Sequence, residues 1–502
     1  MDTCLNGKRI LILQQRGWAL TIGHFLAKKL QAEGCRLAAI TLKRSTDEFV
    51  RSQTDVRYDL LMSNDEVMED PKKFLREETV SLEEVCRELG VDSVWPIVMT
   101  LRHHVRSYKD KFYYGFKQNV PDEEIVDYVK ATYLYIRRIF RDFNPDVILT
   151  PNFVALPHIM LNLYAAKRGV KMVGVTDAKV KGIFIFSHSY RDDAGPFYDR
   201  VDELNDRRAE SPNRERAKTY IEEFRKEFKR PSYLKNAARK TLWKRIRHEL
   251  SPYRLIWKWV TDRPVNHLKN LGITADYRPP RIILRDFYAG KRYRRYAERF
   301  PYVPLEQIGK CIYFPLQFQP EATIDVIAPY FSNQIETARL IAMSLPDDYT
   351  LVVKEHPEMV GLRPPSYLEK IARTPNVKLI DWRIPSDVVI KKADLIVSAN
   401  STTLAEAAFY NKPAIQLGNL GTTLKMPHVV KHSDVSTIST TIRERLRADL
   451  RTPDYERRLE NFVAAAYDTG FDIPYVSVWE GKDAELLNPL WETYRQEIAS
   501  SF

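Results

Sequence analysis

Three polar segments in the second half of the chain combine residue types that can bind a phosphate or a sugar. The first, residues 398–408, follows a short apolar run and continues into a stretch of helical composition. Asn400, Ser401, Thr402 and Thr403 would stand at the start of that helix, where backbone N–H groups lack partners and face the positive end of the helix dipole. Such a helix start can bind phosphate, although the same residues are also ordinary helix caps.

Glu406 and the sequence Lys354-Glu355-His356-Pro357 add titratable groups to this half of the chain. Glu406 falls in the first turns of the same predicted helix, where it can accept a hydrogen bond from a ribose hydroxyl or simply compensate the helix dipole. Lys354 ends an apolar strand-like run, and ligands of open α/β sheets bind beyond the carboxyl ends of strands. Lys354 can counter a diphosphate there, and His356 can act as a general acid or as a neutral donor. The alternative is a strand-terminal turn capped by the histidine.

The third segment, residues 314–323, places two glutamines beside prolines and ends in a polar turn. The amides of Gln317 and Gln319, together with Glu321, are directional groups suited to recognising a base or a sugar, unless the segment is an ordinary polar loop. All three segments follow predicted strands of one domain, so they can converge at one edge of a sheet.

Polar residues also follow predicted strands in the first half of the chain. Asp177 follows a buried strand and is the best-placed general base, with a turn or N-cap role as the alternative. Arg16 and Asn152, after two other strands, are the candidates for acceptor binding. The adjacent His103 and His104 point apart on a helix or a strand, so we expect no metal site.

Two doubly wound parallel sheets would position these residues. Apolar runs of strand length alternate with helical stretches over residues 1–190, and the same rhythm returns at Cys311. The predicted domains are an N-terminal Rossmann-like domain (1–190), a basic helical insertion (191–300), a C-terminal Rossmann-like domain (301–435) and C-terminal helices (436–502).

The composition is that of a globular protein with sizeable cores. The chain has 502 residues, of which 44% are hydrophobic. No stretch approaches the roughly 18 apolar residues of a membrane-spanning helix, and the first apolar run is too short for a signal peptide, so we expect a cytoplasmic protein. Its four cysteines show no CxxC spacing, so we expect neither a disulfide framework nor a structural zinc site.

The positive charge is concentrated in residues 231–300, which contain 18 Lys or Arg and 5 Asp or Glu, whereas the whole chain has a net charge of +12. Such a segment attracts anionic partners. No nucleic-acid-binding fold is evident around it, so we expect no nucleic-acid partner. Basic and apolar residues alternate over 239–260, as in an interfacial helix on the inner face of the plasma membrane. The alternative is a solvated basic face whose aromatic residues pack on the fold.

Residues 308–420 resemble the capsule polysaccharide biosynthesis family, which includes the β-Kdo transferases of capsule export systems. Gln319 and Pro320 match its glutamine-proline loop, His356 and Pro357 match its His-Pro pair, and residues 401–406 match its donor-side helix start. Lys412-Pro413 and Gly418 belong to the same pattern, whereas Glu321 stands where the Kdo transferases often carry an aspartate.

The resemblance implies a GT-B fold, in which two Rossmann-like domains face a cleft and the C-terminal one binds most of a nucleotide-sugar donor. It also implies that the final helices cross back to the N-terminal domain. We therefore expect a metal-independent glycosyltransferase of surface-polysaccharide assembly that needs no cofactor. Its donor is a nucleotide sugar such as a CMP-sugar, and its acceptor is a glycan or a lipid-linked glycan. The alternatives are a CDP-polyol phosphotransferase of teichoic-acid type, a sugar-nucleotide epimerase, or a non-catalytic assembly or export protein.

The predicted site residues fall into three groups. Those expected to bind the donor are Gln317, Gln319, Glu321, Lys354, Glu355, Asn400, Ser401, Thr402, Thr403 and Glu406; those expected to be catalytic are Asp177 and His356; those expected to bind the acceptor are Arg16 and Asn152.

Overall fold

The computed structural model describes residues 5–101, 121–228, 242–261 and 280–502. The chain forms two compact units: unit 1 comprises Met1–Thr100, Asp122–Lys218 and Glu460–Phe502, and unit 2 comprises Leu101–Pro121 and Thr219–Leu459. His103 and His104, and much of the basic segment, lie outside the described residues.

Unit 1 is built on a six-stranded sheet in the order β3-β2-β1-β4-β5-β6. Its strands are β1 (Arg9–Gln14), β2 (Arg36–Thr41), β3 (Leu60–Ser63), β4 (Val147–Leu149), β5 (Lys171–Asp177) and β6 (Phe184–Ser187). The first five are parallel, and β6 pairs antiparallel with β5. The apolar runs of β1 and β2 are buried almost throughout, as expected for parallel strands covered on both faces.

Unit 2 repeats this topology with six parallel strands in the order β12-β11-β10-β7-β8-β9. Its strands are β7 (Cys311–Pro315), β8 (Thr350–Lys354), β9 (Val377–Ile380), β10 (Leu395–Ser398), β11 (Ala414–Gln416) and β12 (Val429–Lys431). Successive residues of β7 belong to separate hydrophobic clusters, Ile312 and Phe314 to one and Tyr313 to the other. Both faces of the sheet are therefore covered, which is the doubly wound arrangement predicted for this half of the chain.

The helices connect and cover these strands. They are α1 (Arg16–Trp18), continued by a π-helical turn (Ala19–Gly23) into α2 (His24–Ala32), α3 (Arg44–Ser52), α4 (Asn64–Glu69), α5 (Pro71–Glu77), α6 (Leu82–Leu89), α7 (Trp95–Val98), α8 (Asp122–Asp142), α9 (Leu156–Ala166), α10 (Pro196–Asn205), α11 (Arg214–Lys226), α12 (Leu242–Thr261), α13 (Pro280–Arg299), α14 (Ala322–Asp325), α15 (Gln334–Met343), α16 (Pro365–Ala372), α17 (Ser386–Lys392), α18 (Thr402–Phe409), α19 (Gly421–Leu424), α20 (Ile438–Leu446), α21 (Pro453–Thr469), α22 (Tyr475–Trp479) and α23 (Leu487–Ala499). Across the described ranges, no helix is long and apolar enough to cross a membrane.

The C-terminal helices α22 and α23 pack on the N-terminal part of unit 1, the return that the resemblance implied. The indole of Trp18 donates a hydrogen bond of 2.8 Å to the hydroxyl of Tyr475, and Tyr494 is buried in the same cluster as Ile10 and Ile12. The return begins at Glu460, whereas the predicted boundary was at residue 436. Helix α20 belongs to unit 2, because its Ile438 and Ile442 are part of that unit's core.

Among the described residues, each unit also buries one histidine completely. His158 lies on α9 in unit 1, and His428 precedes β12 in unit 2. Burial disfavours the charged imidazolium, which lowers the pKa of each side chain from 6.5 to about 4. Below pH 6.5 the unfolded chain therefore binds protons that the folded chain does not, so stability is lost as the pH falls from 6.5 towards 4.

We expect the His158→Leu variant to lose less stability in acid than the wild type. Each such histidine costs about 1.4 kcal/mol per pH unit in this window, so the drop in unfolding free energy between pH 7.5 and pH 5.0 should be smaller by about 2 kcal/mol. Urea unfolding at the two pH values measures it. Leu161→Met on the same helix perturbs packing without changing a titrating group, and it should retain the full drop. An identical drop in wild type and His158→Leu would contradict this assignment.

Candidate functional site

The three predicted ligand-binding segments lie at the carboxyl ends of three adjacent strands of unit 2. Strands β10, β7 and β8 are neighbours in the sheet, and each is followed by one of the segments. Parallel strands end at the same edge of a sheet, so the predicted convergence follows from this strand order. Hydrogen bonds between the segments define how they are arranged.

Gln317, two residues beyond β7, connects all three segments. With its amide oriented to satisfy both atoms, its side-chain carbonyl accepts hydrogen bonds from the backbone N–H groups of Asn400 (2.7 Å) and Ser401 (2.8 Å). Its backbone carbonyl accepts a hydrogen bond of 2.8 Å from Arg363, and its backbone N–H donates to Gln334 at 2.6 Å. The N–H groups of Asn400 and Ser401 are thus bound by the protein itself and are not available to a phosphate.

Gln319 is engaged inside the same loop. Its side-chain carbonyl accepts a hydrogen bond of 2.6 Å from Gln334, and its amide group donates to Ser332 O and Asp325 Oδ1 at 3.0 and 3.3 Å. The amide is 1% exposed, so its hydrogen-bonding capacity serves the loop. Glu321 is exposed at the end of this loop, where its carboxylate accepts a hydrogen bond of 2.7 Å from Thr323.

Asn400 connects the β10–α18 loop to two further loops. Its amide group donates to the carbonyl of Thr323 at 2.7 Å, and its side-chain carbonyl accepts from the N–H of Leu420 at 3.1 Å. A Cβ atom on Gly418 would lie 2.5 Å from the Asn400 amide nitrogen and 2.7 Å from the Cβ of Ala328. Only glycine therefore leaves room for Asn400 at this position.

The start of α18 has the geometry of an ordinary N-cap. The Ser401 hydroxyl oxygen accepts a hydrogen bond from the Thr403 N–H at 3.2 Å, and the Thr403 hydroxyl lies 3.1 Å from it. Thr402 begins the helix and is partly buried. Capping, one of the two interpretations of this segment, is present in the structure, and phosphate binding by these residues stays a prediction.

Glu355 forms a buried ion pair with Arg363. Their side chains are 2% and 1% exposed, and Arg363 Nη1 donates to Glu355 Oε1 at 2.6 Å. The same oxygen accepts from the backbone N–H of His356 at 2.7 Å. Burial raises the pKa of the Glu355 carboxyl, and the charge of Arg363 opposes that rise. Glu355 thus positions the His-Pro turn, and Arg363, which connects this turn to Gln317, has no local motif that marks it in the sequence.

His356 presents a neutral imidazole with a defined tautomer. Burial, together with the charges of Arg363 and Lys354, lowers its pKa to about 4. Nδ1 accepts a hydrogen bond of 3.2 Å from the N–H of Glu358, so the ring proton resides on Nε2. Nε2 makes no hydrogen bond to any residue in the described ranges, and the ring is partly exposed. Of its two predicted roles, this geometry favours the neutral donor over the general acid.

Glu406 and Lys354 are both buried, and the charge of each shifts the pKa of the other. Burial raises the pKa of the Glu406 carboxyl to about 7 against the opposing charge of Lys354, and burial lowers the pKa of the Lys354 ammonium. Lys354 donates to the carbonyl of Ile384 at 3.0 Å and to the hydroxyl of Ser386 at 3.2 Å. Glu406 is 8% exposed, and its Oε2 accepts no hydrogen bond from the described part of the chain. Such a group has capacity left for a ligand.

In unit 1, Arg16 lies in a charged row at the corresponding edge of the sheet. Gln14 of β1, Thr41 of β2 and Ser63 of β3 are register partners, and Arg16, Lys43 and Asp65 each follow two residues later. Burial, with the charge of Arg16 as a second cause, lowers the pKa of Lys43 to about 8. Two cations side by side favour a negatively charged ligand.

Asn152 and Asp177 follow β4 and β5 of the same sheet. Asn152 Oδ1 is buried and accepts no hydrogen bond among the described residues, which leaves it available to a ligand. Asp177 is half-exposed, and its carboxylate accepts a hydrogen bond of 2.7 Å from the N–H of Lys179, whose ammonium lies 3.6 Å away. The turn role, one of its two interpretations, is therefore present; its role as a base stays a prediction.

Sequence reasoning missed a second carboxylate near the end of β5. Asp192 accepts a hydrogen bond of 3.0 Å from the hydroxyl of Thr176 and is partly buried, with a backbone φ of 50°. Burial raises the pKa of its carboxyl to about 6, although hydrogen bonds from Ser187 and Thr176 oppose the rise. A carboxylate with such a pKa suits general-base catalysis near neutral pH. Asp192 falls in the predicted helical insertion (191–300), whereas in the structure it lies in the loop between β6 and α10.

The described residues contain no group of three or more His, Cys, Asp or Glu side chains that could hold a metal ion.

Comparisons with known proteins were made over the whole chain. No protein-family model matches it, and neither does any curated protein sequence. Among solved structures it resembles the β-Kdo 2,4 transferase of Thermosulfurimonas dismutans KpsC, with 14% identity, a TM-score of 0.35, and coverage of 69% of this chain and 88% of that one. The β-Kdo 2,7 transferase of the same protein is similar at 14% identity and a TM-score of 0.33, with coverage of 66% and 79%.

A UDP-GlcNAc 2-epimerase from Neisseria meningitidis, bound to UDP-GlcNAc, resembles the chain at 12% identity and a TM-score of 0.25, with coverage of 92% of this chain and 98% of that one. The two six-stranded sheets of this chain agree with the two Rossmann-like domains predicted from the sequence.

We expect Gly418→Ala to destabilise unit 2, because the new Cβ would overlap an amide that is held at both ends. Overpacking of this kind costs about 1–3 kcal/mol, which calorimetry would record as a lower Tm. Gly309→Ala is the matched control, since a Cβ there meets nothing within 4 Å. Equal melting temperatures for the two variants would show that Asn400 is not held as described.

Proposed function

We propose that this protein is a GT-B glycosyltransferase that moves a sugar from a nucleotide-activated donor to a bacterial capsule or other surface polysaccharide. The donor binds unit 2 at the edge where the loops after β7, β8 and β10 converge. A CMP-linked, Kdo-like sugar is the first donor to test, since the motif resemblance is to Kdo transferases. The acceptor is a glycan or a lipid-linked glycan, which places the enzyme at the inner face of the plasma membrane.

One observation carries this proposal: the polar groups at the edge of the unit 2 sheet divide into two sets. Gln317, Gln319, Asn400 and Glu355 use their side chains to hold the loops together. His356 Nε2 and Glu406 Oε2 form the other set, since they make no hydrogen bond within the described residues; Glu355 Oε2 also makes none, but that carboxylate is already paired with Arg363 through Oε1. A neutral donor and a buried acceptor at the carboxyl edge of a Rossmann-like sheet suit a nucleotide, with one group for phosphate and one for ribose.

The chemistry follows from these groups without a bound metal. His356 donates from Nε2 to the leaving phosphate, and a neutral donor stabilises the charge that develops there as the glycosidic bond to the donor breaks. Glu406 accepts a hydrogen bond from a ribose hydroxyl, and the charge of the Lys354 ammonium makes the electrostatic potential at Glu406 more positive. The sugar carbon is attacked by an acceptor hydroxyl, whose proton passes to a carboxylate of unit 1.

In this proposal, residues of unit 1 bind the acceptor and accept its proton. Arg16 and Lys43 bind an acidic group of the acceptor, and Asn152 accepts a hydrogen bond from one of its hydroxyls. Asp177, the base expected from the sequence, and Asp192 both lie near the end of β5. Asp192 is the stronger candidate, because its raised pKa gives the carboxylate more proton affinity at neutral pH while leaving it mostly ionised.

We expect nucleotides to stabilise the purified protein in thermal-shift assays, because a ligand that binds the folded state raises its apparent stability. The panel is CMP, CDP, UMP, UDP, GDP and ADP. His356→Ala should weaken binding of the preferred nucleotide by about tenfold or more, the usual effect of losing a hydrogen bond to a charged group. Glu406→Gln should weaken nucleotides more than inorganic phosphate, because its proposed partner is the ribose.

Glu358→Ala is the matched control, since Glu358 contacts His356 through its backbone N–H and its exposed side chain can be removed without changing that contact. Selectivity for CMP or CDP that is lost in His356→Ala supports the proposal. Conversion of a nucleotide sugar without an acceptor would identify an epimerase, and transfer of a polyol phosphate would identify a phosphotransferase. No response to any nucleotide would overturn the enzymatic function in favour of a non-catalytic assembly role.

We expect Asp192→Asn to reduce kcat by about 10²-fold or more, the usual loss on removing a general base. In the wild type, kcat/KM should fall as the pH drops below about 6, because the carboxyl of Asp192 becomes protonated there. That acid limb should disappear in the residual activity of Asp192→Asn. Asp177→Asn is the comparison variant and should retain the limb; the reverse result would assign the base to Asp177.

A further inference from the structure

Helix α12 exposes a continuous apolar stripe. Its members are Trp243, Ile246, Leu250, Tyr253, Trp257 and Val260, all of which are exposed. They recur at alternating intervals of three and four residues, so at about 100° per residue they occupy roughly one third of the helix circumference. The indoles of Trp243 and Trp257 are 80% and 70% exposed, values found for very few aromatic side chains of a globular protein.

A different face of α12 attaches the helix to unit 2. The rings of His248 and Phe287 lie 5.6 Å apart, Lys291 pairs with Glu249, and the hydroxyls of Tyr253 and Tyr288 are 2.9 Å apart. These partners lie on α13, which in turn bonds to unit 2 through Tyr296 and Glu369 at 2.6 Å. Tyr253 belongs both to the stripe and to this attachment.

Basic residues lie directly beside the stripe. Arg247, Arg254 and Lys258 are exposed and fall, at about 100° per residue, in the sector that adjoins the apolar one. Over its whole length α12 has five Lys or Arg and a single acidic residue, Glu249, which Lys291 neutralises. The helix therefore presents three sectors in succession: one attached to α13, one apolar and one basic.

We propose that α12 is a docking helix that lies flat in the surface of a membrane containing anionic lipid. The apolar stripe enters the boundary between headgroups and acyl chains, and Arg247, Arg254 and Lys258 bind the lipid phosphates. This narrows the expected membrane contact of residues 231–300 to one helix face. It concerns a surface separate from the donor site and does not depend on the reaction catalysed there.

The positive charge of α12 favours a lipid surface over a second copy of the chain as the partner of the apolar stripe. The intervals of the stripe would also suit a helix pair, but pairing two copies would bring the basic sectors of both helices together. An anionic surface neutralises those residues, and the two tryptophans have the amphipathic rings that favour the level of the headgroups. The adjoining apolar and basic sectors are the pattern of an interfacial helix.

The test is sedimentation of the full-length protein with vesicles of phosphatidylcholine, with and without 30% phosphatidylglycerol. We expect binding only to the anionic vesicles, with a blue shift of tryptophan fluorescence. Arg247→Gln, Arg254→Gln and Lys258→Gln combined should weaken binding by about 100-fold, given a contribution of about fivefold per basic residue near an anionic surface. Trp243→Ala with Trp257→Ala should weaken it by about tenfold or more.

Tyr330→Ala is the matched control, since Tyr330 is as exposed as Trp243 but lies away from α12, and it should bind like the wild type. Retained melting temperature and nucleotide-induced stabilisation in the α12 variants would show that fold and donor site are intact. Binding unchanged in both α12 variants, or equal binding to neutral vesicles, would overturn the proposal. Self-association without lipid binding would also overturn it. Analytical ultracentrifugation would then show that the wild type associates and that the tryptophan substitutions abolish the association.

Discussion

The polar edge of the unit 2 sheet depends on the hydrogen bonds of Gln317. Its side-chain carbonyl accepts from two N–H groups of the β10–α18 loop, and its backbone carbonyl accepts from Arg363 beyond β8. Segments that lie about 40 to 80 residues apart thus share one set of partners. An amide can do this without adding charge, so it holds the loops in place and leaves the charge of this edge unchanged.

The ion pair of Glu355 and Arg363 lies behind this edge and, unlike the neutral Gln317 amide, consists of two charged groups. Glu355 and Arg363 are taken out of water together, and the pair is tolerated because each makes a further hydrogen bond, to the N–H of His356 and to the carbonyl of Gln317. Burial, with the charges of Arg363 and Lys354 as further causes, lowers the pKa of His356 and keeps its ring neutral. Burial also raises the pKa of both glutamates, against the charge of Arg363 at Glu355 and of Lys354 at Glu406. The two glutamates differ in their partners, because Glu355 accepts hydrogen bonds from Arg363 and His356 whereas Glu406 Oε2 accepts none within the described residues.

Much of the architecture could be predicted from local sequence. Strands β7, β8 and β10 are compact apolar runs that end at polar residues, and parallel topology alone places the segments that follow them together. Asp192 was missed because it falls in the segment predicted as a helical insertion, whereas it lies beyond β6, which pairs antiparallel with β5. The partners that satisfy Gln317 and Glu355 could not be predicted, because Gln334 and Arg363 lie in segments with no distinguishing local pattern.

The hydrogen-bond partners and the exposure of a side chain, rather than its place in a sequence pattern, distinguish residues that stabilise the fold from residues that are available to a ligand. Gln319 and Glu406 both looked like donor-binding residues in the sequence, yet the first is satisfied by Gln334 and Ser332 whereas the second has an unused carboxylate oxygen. The stripe on α12 is the apolar counterpart. The spacing of its apolar residues is also that of a helix packed on a core. The exposure of Trp243 and Trp257 shows that this face of α12 does not pack on the core. A helix that is held to its unit by one face and leaves an apolar and a basic face in solvent needs an amphipathic, anionic surface to cover them, and a lipid headgroup layer has both properties.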